Sequence, residues 1–195
     1  MKLDDEVQMY GKMALAVDLI ERCEAFAFLI PEVRTNLVYA QPNAQAKDDV
    51  LGIDGRITVV NGRPHAAGKP KFGASSHMAR LMVEIGKTDS TLRAGVNFAN
   101  NQALASWLEK YCEAKGWVFS VIDRSKEPRE IKDAEGASMP WKVQEAIDAA
   151  GGRVPKIFYE TGAVGKEPVS VLVGPDPIGV AKDICEIARR YRETP

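Results

Sequence analysis

Asn61-Gly62 stands between two short runs of strand character, RITVV (56–60) and RPHAAG (63–68). A two-residue type I′ turn needs φ > 0 at both central positions, and Asn-Gly adopts it most readily, so the sequence predicts a β-hairpin here. A hairpin makes its strands antiparallel, which removes a purely parallel sheet from consideration. KIFYE (156–160) and VSVLVG (169–174), joined by a Gly-containing loop, read as a second antiparallel pair.

Helical periods alternate with these strands. Residues 6–22 place Val7, Met9, Tyr10, Met13, Leu15, Ala16, Val17, Leu19 and Ile20 largely along one stripe, with Asp4 or Asp5 as the expected N-cap. Phe26 to Ile30, stopped by Pro31, and Thr35 to Ala40, ended by Pro42, read as short strands or extended pieces. Ala74 to Glu84 reads as a helix capped by Ser75 or Ser76, and 101–116 as one that ends at Gly116. Pro140 opens a helix over 140–150 that Gly151-Gly152 closes, and Pro177 to Arg190 forms the last. TLRAGVNFA (91–99) and WVFSVID (117–123) flank the 101–116 helix as strands, a β-α-β rhythm. Helices interleaved with antiparallel neighbours predict an α/β fold, a three-layer α/β/α sandwich on a mixed sheet. No repeat or linker interrupts it, so one domain over 1–195 is expected, with the helix of 1–23 packed on it.

Composition narrows the function. With 26 Lys+Arg against 27 Asp+Glu the formal charge is −1, far from the positive field that displaces counterions from nucleic acid, so no nucleic-acid partner is expected. No apolar run approaches the ~18 residues of a membrane span, and Lys2, Asp4, Asp5 and Glu6 do not make a secretory leader; a cytoplasmic protein without a membrane partner is expected. Cys23, Cys112 and Cys185 lie far apart, each in a helix-like segment, and read as buried thiols. They lack zinc-cluster spacing, and His65 and His77 are too few for a three-histidine metal centre, so no zinc site is expected. Exposed Met9 and Met13 on the first helix are the expected contact of a homodimer.

Three segments can carry chemistry. In FGASSHMAR (72–80), Gly73, Ser75 and Ser76 precede a helix whose free N–H groups and positive dipole end suit a phosphate; simple helix capping is the plainer reading. Arg56, Arg63, Lys69, Lys71 and Arg80 surround it in sequence, either focusing an anion or forming a solvated basic face. In ETGAVGKEP (160–168), Lys166 can reach a phosphate, unless the segment is only a tight connection. Asp123-Arg124 follows a strand, where α/β sheets often bind ligands and where loop capping also places acids. Asn36, Asn43, Asn97 and Asp123 are candidates for heterocycle edges, which need fixed donors and acceptors.

Four stretches, LIPEVRTNLVYAQPNAQAKDDVLGIDGRI (29–57), KFGASSHMARL (71–81), VIDRSKEPREIKDAEGASMPW (121–141) and VPKIFYETGAVGKEP (154–168), together resemble the ThiN-type thiamine-phosphate synthase domain. The order of motifs is the same and the resemblance covers nearly the whole chain. It implies a class II aldolase-like (AraD-like) fold with a mostly antiparallel sheet. It also implies a transferase that condenses hydroxymethylpyrimidine diphosphate with hydroxyethylthiazole phosphate, giving thiamine phosphate and pyrophosphate, with Mg²⁺ accompanying the diphosphate. The family's catalytic arginine and histidine fall on Arg56 and His77. Such domains often follow a hydroxymethylpyrimidine phosphate kinase, a covalent or functional link expected here too. A related branch senses thiamine phosphate without making it and tends to lose the catalytic pair, which this chain keeps. An aldolase-like lyase is the remote alternative, weakened by the scarcity of histidine.

Overall fold

The computed structural model describes residues 2–132, 138–162, 165 and 167–194. The chain opens with α1 (Lys2–Glu21), a 3₁₀ helix (Glu24–Leu29), β1 (Leu37–Ala40) and β2 (Val50–Ile53). Then come β3 (Ile57–Val60), β4 (Arg63–Ala66), β5 (Pro70–Phe72) and α2 (His77–Thr88). β6 (Ala94–Ala99), α3 (Gln102–Lys115) and β7 (Phe119–Ile122) follow, then the 3₁₀ turn Arg124–Lys126 and α4 (Arg129–Lys132). α5 (Ser138–Ala149), β8 (Ile157–Glu160), β9 (Val169–Gly174) and α6 (Pro177–Arg192) complete the described elements.

Among the described residues one seven-stranded sheet runs in the order β5-β2-β1-β6-β9-β8-β7. Neighbours are antiparallel throughout except β7 and β8, which pair in parallel from Phe119–Ile157 to Ile122–Glu160. The sheet is thus mixed and mostly antiparallel. β3 and β4 form the expected hairpin as a separate ribbon, with Asn61 at φ 50° and Gly62 at φ 77°, and the bridge Thr35–Ile57 ties it to the approach of β1. The strand pair β6 and β7 runs in the same direction but with β9 and β8 between them, so α3 spans a wide crossover.

Strand alternation divides the core. Leu37, Tyr39, Leu51 and Ile53 face the side covered by α1, α3 and α6. Val38, Ala40 and Val50 face the side covered by α2 and α5. These two apolar interfaces, one on each face of the sheet, make the three layers. Caps fix the helix ends: Asn101 accepts from Leu104 N–H, Gly116 ends α3 in the left-handed region, and Asp176 accepts from Ile178 and Gly179 N–H.

Several expectations need correction. Phe26 to Ile30 is no strand, because Glu24–Leu29 coils as 3₁₀ to bury Phe26 and Leu29. α1 starts at Lys2, so Asp4 and Asp5 lie in its first turn rather than at its cap. Met9 and Met13 are buried in the core together with Ala16 and Ile20 and offer no dimer surface; Leu3, Val7, Tyr10 and Leu15 are the exposed large apolar members of the helix. α2 begins at His77, and the Ser76 side chain makes no capping bond. All three cysteines are free and buried, as expected, but Cys23 lies between helices rather than inside one. Among the described residues, no helix is long and apolar enough to cross a membrane.

Candidate active site

The register brings five strand ends together. β1 starts opposite Val96 in the middle of β6, and the start of β9 lies beside the ends of β6 and β8, with β7 ending next to β8. At this edge a cavity of about 330 Å³ opens, lined by Arg34, Arg56, Ser75, His77, Lys142 and Glu160 among others. A second cavity of about 330 Å³ lies under α6 between Phe28, Leu104 and Tyr191, with a mainly apolar lining. Titratable side chains converge in the first, which makes it the candidate site.

Arg34 and Arg56 approach it from strained backbone, at φ 67° and φ 69°. Left-handed φ in a non-glycine residue persists only where the surroundings enforce it, and such strain gathers at functional sites. Two amides do the enforcing. Asn36 donates through Nδ2 to the Ile53 carbonyl (3.1 Å) and accepts from Ile53 N–H at Oδ1 (2.9 Å), extending the β1–β2 pairing by a side chain. Asn97 accepts from Asn36 N–H (2.7 Å) and donates to the Arg34 carbonyl (3.0 Å). The Arg56 guanidinium donates to the Val33 carbonyl. Glu167 closes the same corner by accepting from the N–H groups of Glu32 (3.1 Å) and Val33 (3.2 Å).

Beneath lies a buried charge network. Glu160 Oε2 accepts from Lys142 Nζ (2.7 Å) and Arg124 Nη1 (3.1 Å), and Arg124 Nη2 reaches Glu127 Oε2 (3.0 Å). Burial pushes the Glu160 carboxyl up, but Lys142 above all, with His77 and Arg124, holds it below the ordinary carboxylate range. His77, exposed at the open mouth of the cavity, is pushed below its ordinary value by its desolvating surroundings first and then by the cations Lys142, Arg124 and Arg56, with Glu160 opposing. The neutral imidazole is the form this cavity favours. Arg34, Arg56, Arg124 and Lys142 outnumber Glu160 and Glu167, so the lining favours an anion.

Of the residues singled out from sequence, Arg56, His77, Ser75, Asn36, Asn97 and Arg124 line the cavity. Gly73 does not: its φ of 73° and its close approach to Asp48 Oδ1 are requirements of the turn before α2. Ser76 is exposed beside it. Asn43 lies beyond the other end of β1 on a smaller cavity, and Asp123 is an exposed-side cap that accepts from Ser125 N–H and Oγ. Lys166 lies outside the described residues. Arg63 pairs with Glu24 on the surface instead of joining Arg56. Arg34, Lys142, Glu160 and Glu167 were not singled out, because a lysine in an amphipathic helix and a glutamate at a strand end read as solvated.

No group of three or more His, Cys, Asp or Glu among the described residues is placed to hold a metal ion. Both cavity carboxylates are engaged, Glu160 by cations and Glu167 by backbone N–H. The described residues do not fit a protein-held Mg²⁺.

The family described as thiamine-phosphate synthase ThiN matches residues 12–186. The thiamine-phosphate synthase ThiN of Methanothermobacter thermautotrophicus is 40% identical over 177 residues, 91% of this chain and 90% of that protein. The bifunctional thiamine biosynthesis protein ThiDN of Methanocaldococcus jannaschii is 32% identical over 164 residues, 84% of this chain but 37% of that longer protein. The crystal structure of the C-terminal domain of phosphomethylpyrimidine kinase superposes with a TM-score of 0.89 at 34% identity, covering 93% of this chain and 99% of that one. Sequence likeness and superposition extend across the very elements that build the cavity, and the chain belongs to the ThiN family of thiamine-phosphate synthases.

Proposed function

We propose that this cavity condenses hydroxymethylpyrimidine diphosphate with hydroxyethylthiazole phosphate to give thiamine phosphate and pyrophosphate. The observation that carries the reading is the convergence of Arg56 and His77 on one cationic cavity in a chain of this family. The C–O bond between the pyrimidine methylene and the diphosphate breaks with its electron pair going to oxygen. The aminopyrimidine ring spreads the positive charge left on the methylene, and the thiazole nitrogen closes the new C–N bond. Little covalent chemistry falls to the protein, whose work is to stabilise the departing anion.

Arg56 is suited to that task. A guanidinium offers a planar fork of donors to phosphate oxygens, and this one is bonded to a backbone carbonyl rather than a carboxylate, so its charge is not cancelled. His77, the first residue of α2, offers an N–H in its neutral form, beside the free N–H groups and positive dipole end of the helix. As negative charge builds on the leaving oxygen, the imidazole's proton affinity rises, and the hydrogen bond strengthens where the transition state needs it. Arg34 stands ready for the second phosphate, and Lys166 is kept as a further candidate from sequence. Mg²⁺, in this reading, arrives with the diphosphate and takes its ligands from phosphate and water. The diphosphate substrate implies a phosphorylating enzyme upstream, in keeping with the bifunctional architecture of the ThiDN relative.

Purified protein given both substrates should form thiamine phosphate, followed by chromatography of the product. Arg56→Ala and His77→Ala should each lower turnover about 100-fold or more, as loss of an anion-stabilising donor does. Wild-type turnover in either variant removes that residue from the scheme. A folded protein that binds thiamine phosphate and never makes it would be a sensor instead.

A further inference from the structure

The cavity's polar side chains differ in what they have left to offer. Asn36 and Asn97 spend their amide groups on backbone partners. Both oxygens of Glu167 accept backbone N–H groups. Arg124 is bound between Glu160 and Glu127. Lys142 and Glu160 are different: their side chains, each 4% exposed, meet at 2.7 Å while lining the cavity. Both cations of Glu160 use the same oxygen, Oε2. An ammonium carries three N–H donors, and the contact with Glu160 occupies one.

Such a cluster is costly to bury. Arg124 Nε and Glu127 Oε1 are buried with no hydrogen-bond partner, and replacing buried ion pairs with apolar residues often stabilises a protein. Retention of an incompletely satisfied network against a cavity points to a task there. Its charge is balanced by Glu127 and Glu160, so it is a poor seat for a diphosphate, which Arg34 and Arg56 suit better. A neutral donor–acceptor pair matches a neutral heterocycle edge.

We propose that Glu160 and Lys142 form the subsite for the aminopyrimidine, with Glu160 Oε1 accepting from its exocyclic amino group and Lys142 Nζ donating to the adjacent ring nitrogen. Arg124 and Glu127 are positioning residues that fix the Glu160 carboxylate. His77, whose surroundings include Lys142, Glu160, Arg124 and Arg56, then stands between the ring and the phosphates. The inference rests on the synthase reading and deepens it, since it names the end of the cavity that reads the ring.

Calorimetric titration tests it with three probes: the pyrimidine diphosphate, its analogue with hydrogen in place of the exocyclic amino group, and the thiazole phosphate. Wild-type protein should bind the deamino analogue about 10- to 100-fold more weakly than the natural pyrimidine, the range expected for a hydrogen bond to a charged group. Glu160→Gln and Lys142→Met should each weaken the natural pyrimidine about 10-fold or more and leave the thiazole phosphate within about twofold. Equal binding of the two pyrimidines by wild type, or an equal loss for pyrimidine and thiazole in the variants, overturns the subsite. The analogue comparison uses unmodified protein and decides the matter even where a variant fails to fold. Turnover of the wild type judges the synthase reading separately: turnover without discrimination sinks the subsite alone, and discrimination without turnover sinks the synthase.

Discussion

His77 binds a proton less readily in the fold than in the unfolded chain, where an imidazole titrates near 6.5. Desolvation at the cavity wall, Lys142, Arg124 and Arg56 all lower its affinity although its surface stays open to the cavity mouth, and Glu160 offsets only part of this. As pH falls through about 6.5, the unfolded state therefore takes up the proton first, and stability that is complete above this value is lost on the way down to the folded value. Urea midpoints measured at about pH 7.5 and 5.5 should fall for wild type and fall less for His77→Gln; equal falls would show that the imidazole is not held neutral. Arg56 allows a second test, because its φ of 69° strains any side chain while glycine adopts it freely. Arg56→Gly should be more stable than Arg56→Ala by about 1 kcal/mol in urea unfolding, and both should lose turnover. A glycine variant no more stable than the alanine one would mean that the loop relaxes. Arg56 and His77 were legible in the sequence as parts of a basic cluster and of a phosphate-suited helix start, but their catalytic role only through the family resemblance, since neither sits in a local motif that specifies chemistry. Lys142 and Glu160 were not legible at all. Each looks solvated in its own segment, and only the pairing of β8 with β7 and the packing of α5 over them brings the two charges together.

Elements whose ends are set by local chemistry matched the sequence reading most closely. The Asn61-Gly62 hairpin, the Gly116 end of α3 and the Pro177 start of α6 depend on backbone preferences of one or two residues. β2 and β5 were missed because they carry little pattern: VLGI includes a glycine, and PKF is three residues long and begins with proline. The pairing of β2 with β1 is helped instead by the Asn36 side chain, which serves both polar groups of Ile53. Asn36→Ala should leave these buried groups without partners and destabilise the protein by roughly 1–3 kcal/mol for each, read from urea unfolding. Asn36→Asp, which keeps the acceptor for Ile53 N–H but sets a buried carboxylate oxygen against the Ile53 carbonyl, should destabilise at least as much. The Asn36 backbone N–H, which alanine keeps, holds Asn97 and through it the Arg34 carbonyl, so a β1 loosened from β2 carries this anchor with it and the alanine variant should lower kcat/KM as well. Unchanged kcat/KM would separate the amide pair from the placement of Arg34.

At the scale of the molecule, the alternation of helical and strand periods was enough to predict three layers and a mixed sheet, whereas strand order was not readable. The order depends on which apolar faces meet, as when β9 inserts between β6 and β8. The layers also divide labour. α2 carries His77 and α5 carries Lys142 on one face of the sheet, and α1, α3 and α6 fill the other with Met13, Ile20, Leu108 and Ile184. Packed interiors lose stability when a buried side chain is cut back, but a loss on the far side of a sheet reaches a site only if the sheet itself shifts. Met13 is fully buried against that far layer. Met13→Ala should thus destabilise the fold by about 2–5 kcal/mol and leave KM for both substrates unchanged at temperatures where the variant is folded. A changed KM in that folded variant would show that the α1–α6 layer sets the strand ends of the cavity, and that the positions of Arg34 and Arg56 depend on packing across the whole sheet.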